Sequence, residues 1–153
     1  MSFQDYYASF FATLSFGLIF NVPKKSLFQV GIVGMLGWVM YSWLIHNYYV
    51  DLVFSTLIST FAVGVISQLL ARLYKIPVTV YSVAGIIPLV PGGLAYDTMR
   101  HFVENDYSTA LGLLTKTFML SGAIAFGLVL SSSFAPQLRK KEPSIAYKNN
   151  KIL

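Results

Sequence analysis

The chain is 153 residues long, and its composition is that of a membrane protein. Hydrophobic residues make up 56% of it and charged residues only 11%, whereas a soluble domain usually carries about 25% charged residues. It contains no cysteine, which excludes a disulfide framework and a thiolate metal site. The formal net charge is +5. The basic residues cluster between apolar runs, as in cytoplasmic loops, so the charge does not indicate nucleic-acid binding.

Five apolar windows approach the length needed to cross a bilayer, which is about 20 residues in a helix. They predict an all-α integral membrane protein with about five transmembrane helices in one domain, residues 1–136. No basic residue precedes the first window, so we expect it to remain as a span rather than be cleaved as a signal peptide. We expect residues 137–153 to form a polar cytoplasmic tail. The windows cover about residues 3–20, 27–45, 52–74, 76–96 and 110–134.

The basic residues predict the orientation, because Lys and Arg near span ends favour the cytoplasmic side. All of the clusters lie on one side only if residues 76–96 cross the membrane fully. That arrangement predicts an external N-terminus and a cytoplasmic C-terminus. The alternative is a fourth segment that enters and returns, which leaves four crossings and an external tail. The clusters are Lys24 with Lys25, Arg72 with Lys75, and Arg139 with Lys140 and Lys141.

The fourth window contains the segment P-x-x-P-G-G, which disfavours an unbroken helix. Pro88 and Pro91 lack an N–H, and Gly92 and Gly93 cost backbone entropy, so we expect a break here. Freed backbone groups at membrane depth are tolerated where they are buried in protein or line a wet cavity. A half-helix starting after the break would also attract an anion such as a carboxylate to its N-terminus. We therefore predict a substrate site here, with a plain proline kink or a loop at the end of the span as the alternative.

Four further residues are candidates for the site. Tyr96 and Thr98 follow the break and are predicted to tune the choice of substrate. Lys116 is a candidate for coupling or charge compensation, because a charge inside a span is expensive and functional by default. Asp97 is a second candidate, because it directly follows the broken segment and could take up protons. For Lys116 the alternative is that its long side chain reaches the headgroups. For Asp97 the alternative is an exposed position in a loop.

Small residues on the second and third windows predict close helix packing. Hydrogen bonding to a polar solute is the alternative for the hydroxyl-bearing stripe. The small residues of the second window are Gly31, Gly34 and Gly37, and the stripe of the third is Thr56, Ser59 or Thr60, Val63 and Ser67.

The remaining polar residues give no sign of enzyme chemistry. His46 and His101 are isolated in the sequence and have no partners at metal-ligand spacing, so we predict neither a metal site nor a cofactor. No nucleophile motif, phosphate-binding loop or dinucleotide fingerprint is present. We expect no catalytic residue in this chain.

Two segments resemble the threonine/serine exporter family. They are FGLIFNVPKKSL at residues 16–27 and YKIPVTVYSVAGIIPLVPGGLAYDTM at residues 74–99, and a final apolar span follows them. The chain looks like the small integral-membrane subunit of the split, two-gene form of that family. The similarity covers about residues 10–135. Its most specific elements are Pro88, Pro91 and Gly92 together with Asn21-Val22-Pro23.

The resemblance implies a secondary transporter in a bacterial plasma membrane. Its substrates would be threonine and serine, or in some split members a dicarboxylate such as succinate, exported from the cytoplasm. It also implies a larger membrane subunit that carries the other half of an inverted-repeat fold, with the site between the halves. The resemblance is compatible with a higher oligomer of the two subunits, and it implies no nucleic-acid partner. The alternative function is a non-transporting membrane scaffold or assembly subunit.

Overall fold

The computed structural model describes residues 3–134, and the predicted tail at 137–153 lies outside this range. The described chain is all-helical, as predicted. Its helices are α1 (Phe3–Ile19), α2 (Leu27–Tyr48), α3 (Leu52–Tyr74), α4 (Val78–Gly85), α5 (Gly92–Val103) and α6 (Tyr107–Phe134). Two short 3-10 turns, Lys24–Ser26 and Ile87–Leu89, precede α2 and follow α4.

Three helices of the described range are long and apolar enough to cross a membrane, namely Lys24–Tyr48, Leu52–Tyr74 and Tyr107–Phe134. Two further segments, Val78–Leu89 and Gly92–Val103, are long and apolar enough to cross a membrane only when they are taken together as one span. They are bent by 54° relative to each other. Helix α1 coincides with the first predicted window but has only 17 residues. A helix of that length rises about 26 Å, slightly less than the bilayer core of about 30 Å.

Helices α1 to α4 pack together as a bundle, and α5 and α6 join this bundle through α3. Helix α4 packs against α1, α2 and α3, and the Ile87–Leu89 turn contacts α1 and α2. Helix α5 diverges from that bundle and packs chiefly against α6, which in turn packs against α3. The position of α5 therefore depends on how α6 is held by α3.

The glycines of α2 make the close contacts that their spacing predicted. A Cβ at Gly31 would meet the Phe10 ring at 2.6 Å, and one at Gly37 would meet Val63 at 2.6 Å. Gly34 is packed equally tightly against Thr13 of α1. The three positions thus allow α1 and α3 to approach α2 closely.

The small-residue stripe of α3 is buried, which confirms the packing interpretation. Thr60 lies close to Gly127 of α6, and Gly64 is packed directly against Ser131 of α6. Gln68, one turn further along α3, donates a hydrogen bond from its Nε2 to the Ser131 carbonyl at 2.7 Å. The α3–α6 seam therefore combines close packing with a cross-helix hydrogen bond. The buried members of the stripe are Thr56, Ser59, Thr60, Val63 and Ser67.

The segment after the break differs from the prediction. The fourth window was expected to end near residue 96 and to be followed by a loop, but α5 continues to Val103. The polar residues that suggested a loop form part of an amphipathic helix whose other face packs on α6. An Arg100–Glu104 ion pair of 3.4 Å joins adjacent turns near its end. The interpretation of Asp97 as a loop residue is therefore wrong, because Asp97 is a half-buried residue of α5.

Candidate functional site

The helix break lies at the proline–glycine segment, as predicted. After Gly85 the chain makes the Ile87–Leu89 turn, which contains Pro88. Val90 is extended, with φ −66° and ψ 127°. Pro91 has φ −76° and ψ 53°, and α5 begins at Gly92. Since neither proline can donate a backbone hydrogen bond, the chain changes direction where the fewest such bonds are lost.

The break is anchored at the level of the middle of α3. Leu89 is buried in one cluster with Val33 of α2 and Val63, which lies near the centre of α3. Gly85 is packed against the same two valines, and a Cβ there would meet Val33 at 2.7 Å. The half before the break is thus fixed within the bundle, while the half after it departs toward α6.

The first turn of α5 is open on its outer side. Gly92 and Gly93 are exposed, and a Cβ added at either would have no heavy atom within 4 Å. The Gly92 N–H donates to the Val90 carbonyl at 2.8 Å, and the Ala95 N–H donates to Pro91 at 3.0 Å. Pro91 supplies no side-chain cap. The N–H groups at the start of a helix have no carbonyl one turn back within that helix, so the other N–H groups at the start of this turn have no acceptor within α5.

The structure brings some of the predicted site residues to this turn. Tyr96 follows Gly92 by four residues and is 68% exposed, so it lies on the same helix face. Asp97 follows Gly93 in the same way. Thr98 is buried, and its hydroxyl donates to the Leu94 carbonyl at 2.7 Å. The Thr98 hydroxyl is thus engaged within α5, whereas Tyr96 is accessible.

Lys116 lies on a different helix from the break. It is exposed on α6, nine residues after the start of that helix. Within residues 3–134 it forms no ion pair. The described chain therefore leaves this ammonium group available to the headgroups, to a partner or to a solute.

The connection between α5 and α6 carries a small charged cluster. His101 Nδ1 lies 3.4 Å from an oxygen of Asp106 and 3.9 Å from one of Glu104. The Asp106 carboxylate accepts from the Thr109 N–H at 3.3 Å at the start of α6. The hydrogen bonds from Thr109, with a smaller effect of nearby His101, lower the pKa of Asp106. Within the described chain, no three His, Asp or Glu side chains lie close enough together to hold a metal ion.

Sequence reasoning missed a contact between the two motif segments. The hydroxyl of Tyr81, a fully buried residue of α4, donates to the Ser26 hydroxyl at 3.2 Å. Val22 and Ala84 belong to the same buried cluster as Tyr81. The segment after α1 and the segment before the break therefore pack as one unit. The only hint in the sequence was that Ser26 and Tyr81 each lie within one of the two distinctive segments.

Sequence reasoning also missed unpartnered polar atoms on α3. Gln68 is 4% exposed, and its Oε1 has no hydrogen-bond partner among the described residues. Three hydroxyl oxygens are likewise buried without a hydrogen-bond partner among the described residues, namely those of Ser59, Thr60 and Ser67. The hydroxyl stripe was visible in the sequence, but the lack of partners for these four side chains depends on the neighbouring helices.

Comparisons with known proteins relate most of the chain to one family. The family described as "Threonine/Serine exporter, ThrE" matches residues 5–134. A relative from Haemophilus influenzae (strain ATCC 51907 / DSM 11121 / KW20 / Rd), described as "Uncharacterized protein", is 34% identical over 125 residues. That match covers 76% of this chain and 42% of the relative, so the chain spans less than half of the relative's length. No solved structure matches the chain.

Proposed function

The chain belongs to the threonine/serine exporter family, and from this premise we propose that it is one subunit of a secondary transporter. The transporter exports small metabolites that carry a carboxylate: threonine and serine, or a dicarboxylate such as succinate. In this proposal the chain works in a bacterial plasma membrane and not as an enzyme. Its five helical segments, with α4 and α5 as one broken span, cross the membrane with the N-terminus outside.

The observation that carries the proposal is the broken helix beside an open first turn. Broken helices near the middle of the membrane bind substrate in many secondary transporters, with half-helix N-termini directed at anionic groups. Here the turn at Pro91, Gly92 and Gly93 has no covering side chain within 4 Å of the glycine Cβ positions. A carboxylate is the group that threonine, serine and succinate share. The first turn of α5 is thus the proposed carboxylate site, with Tyr96 beside it.

The proposed partner is a larger membrane subunit of the same family that carries the other half of the fold. The length of the Haemophilus relative supports this, because this chain matches only 42% of it. A half with five crossings reverses orientation relative to a preceding half, which is the geometry of an inverted repeat. The open side of α5 would then face the partner, and the substrate would bind between the two subunits.

A membrane scaffold subunit is the second candidate. The observation favouring it is that α2, α3 and α6 contain no carboxylate, so a proton relay through these helices has no obvious carrier. In this alternative the broken segment serves only to shape the surface that contacts another subunit.

An efflux measurement distinguishes the two candidates. Cells that express this chain, the larger subunit, both or neither are loaded with labelled threonine, serine or succinate, and efflux is followed under an imposed proton gradient. We expect rapid efflux of at least one solute when both subunits are present, and background efflux with either alone. No substrate-dependent efflux with both subunits present, despite normal membrane insertion, would favour the scaffold.

A further inference from the structure

A groove lies between the connection that follows α1 and the first turns of α4. It encloses about 220 Å³. The α1 side contributes an exposed aromatic ring, Phe20, and a polar amide, Asn21. The α4 side contributes a threonine followed by apolar residues. The lining residues are Phe20, Asn21, Val22, Thr79, Val80, Val83 and Ala84.

The groove lining combines polar and apolar side chains. Thr79 lies in the first turn of α4, and Asn21 lies two residues after the end of α1. Val83 lies one turn further along α4, toward the middle of the bundle, and is 43% exposed. Along α4 the lining thus changes from the polar Thr79 near the helix start to the apolar Val83 one turn later, in the order in which a lipid molecule changes from headgroup to acyl chain. A small soluble anion has no apolar part that matches Val80 and Val83.

Basic residues adjoin the lining residues in the sequence. Lys24 and Lys25 follow directly after the lining residue Val22 and Pro23, and both are exposed. Lys75 is also exposed and precedes the lining residue Thr79 by four positions. Helix α4 begins there after Pro77 without a side-chain cap, so its first N–H groups add positive potential.

We infer that this groove binds one anionic phospholipid. The headgroup phosphate lies by Thr79, Asn21 and the lysines, and one acyl chain follows Phe20, Val80 and Val83. Basic pockets between membrane helices recognise anionic headgroups by this combination of charge and shape. The charge complementarity selects an anionic lipid rather than a zwitterionic one.

Occupancy of this groove would stabilise the part of the chain that carries the break. Ala84 lines the groove and packs with Tyr81 in the buried cluster of α4, and α4 leads directly into the Ile87–Leu89 turn. A lipid bound here would hold α4 against the connection after α1 from the outside, as the Tyr81–Ser26 hydrogen bond does from the inside.

Native mass spectrometry of the full-length chain, purified in mild detergent, tests the inference. Phosphatidylglycerol and phosphatidylcholine are titrated separately, and we expect one tight phosphatidylglycerol site. The double variant Lys24→Gln with Lys25→Gln should weaken that site roughly thirtyfold, if each lysine contributes as a basic residue near an anionic surface does. Val83→Trp should abolish it by filling the apolar end. The matched control, Val129→Trp on an exposed position of α6, should leave it unchanged.

Several outcomes would overturn the lipid site. These are equal binding of the two lipids, binding that both groove variants leave intact, or displacement of the lipid by millimolar succinate, which would assign the groove to a free carboxylate. Circular dichroism of each variant separates loss of binding from loss of folding. The measurement needs neither the partner subunit nor transport, so its result is independent of the proposed function.

Discussion

Replacing Gly92 with leucine is expected to reduce efflux about ten- to hundredfold, the equivalent of one lost hydrogen bond to a charged group. The reason is steric, because the new side chain would occupy the open space over the first turn of α5. No heavy atom lies within 4 Å of the added Cβ, so the variant should insert and assemble normally. The measurement is efflux from loaded cells, normalised to the amount of both subunits in the membrane.

Gly122→Leu is the matched control for this change. Gly122 is an exposed glycine of α6 whose added Cβ also meets nothing within 4 Å, but it lies away from the break in the sequence. We expect it to retain efflux close to that of the unmodified protein. Unimpaired efflux by the Gly92→Leu variant would remove the carboxylate site from the first turn of α5.

Replacing Gly127 with alanine is expected to destabilise the protein by about 1–3 kcal/mol, the usual cost of overpacking a tight core. The added Cβ would lie 2.9 Å from the Leu57 carbonyl oxygen and 3.1 Å from the Phe61 nitrogen. Both atoms belong to the backbone of α3, so no side chain can turn aside to make room. The midpoint of thermal unfolding in mild detergent should fall by several degrees.

Gly122→Ala, five residues earlier on the same helix, should have the opposite effect. It meets no neighbour, and alanine is the better helix former by about 0.5–1 kcal/mol. The unfolding midpoint should therefore stay the same or rise. Equal midpoints for the Gly127→Ala and Gly122→Ala variants would contradict the close α3–α6 contact. Because α5 packs chiefly on α6, loosening that contact should also lower transport.

The break could be predicted from the sequence because its cause is local. Pro88, Pro91 and the two glycines weaken a helix wherever it is placed, so the structure changes direction at that segment. The spacing of Gly31 and Gly37 likewise predicts close contact whatever the partner helix is. In both cases the signal and the structural result concern the same few residues.

Other features depend on contacts that sequence patterns do not reveal. The extension of α5 to Val103 was missed, because its polar residues were interpreted as a loop while their support comes from α6, later in the chain. The Tyr81–Ser26 hydrogen bond joins residues 55 positions apart. The hydrogen bond from the Thr98 hydroxyl to the Leu94 carbonyl likewise depends on the helix that forms around it, and the role of Thr98 in tuning the substrate stays a prediction.

The absence of cysteine allows a direct test of the claim that the first turn of α5 binds a substrate carboxylate. Gly93→Cys places a thiol where an added Cβ meets no atom within 4 Å, and Ser108→Cys, exposed at the start of α6, is the control. The rate of alkylation by a maleimide is measured with the larger subunit present. We predict that the exported solute slows alkylation at position 93 several-fold and not at 108, and that its uncharged amide slows neither. Equal rates at position 93 with and without the exported solute, or equal protection by the amide, would contradict the account.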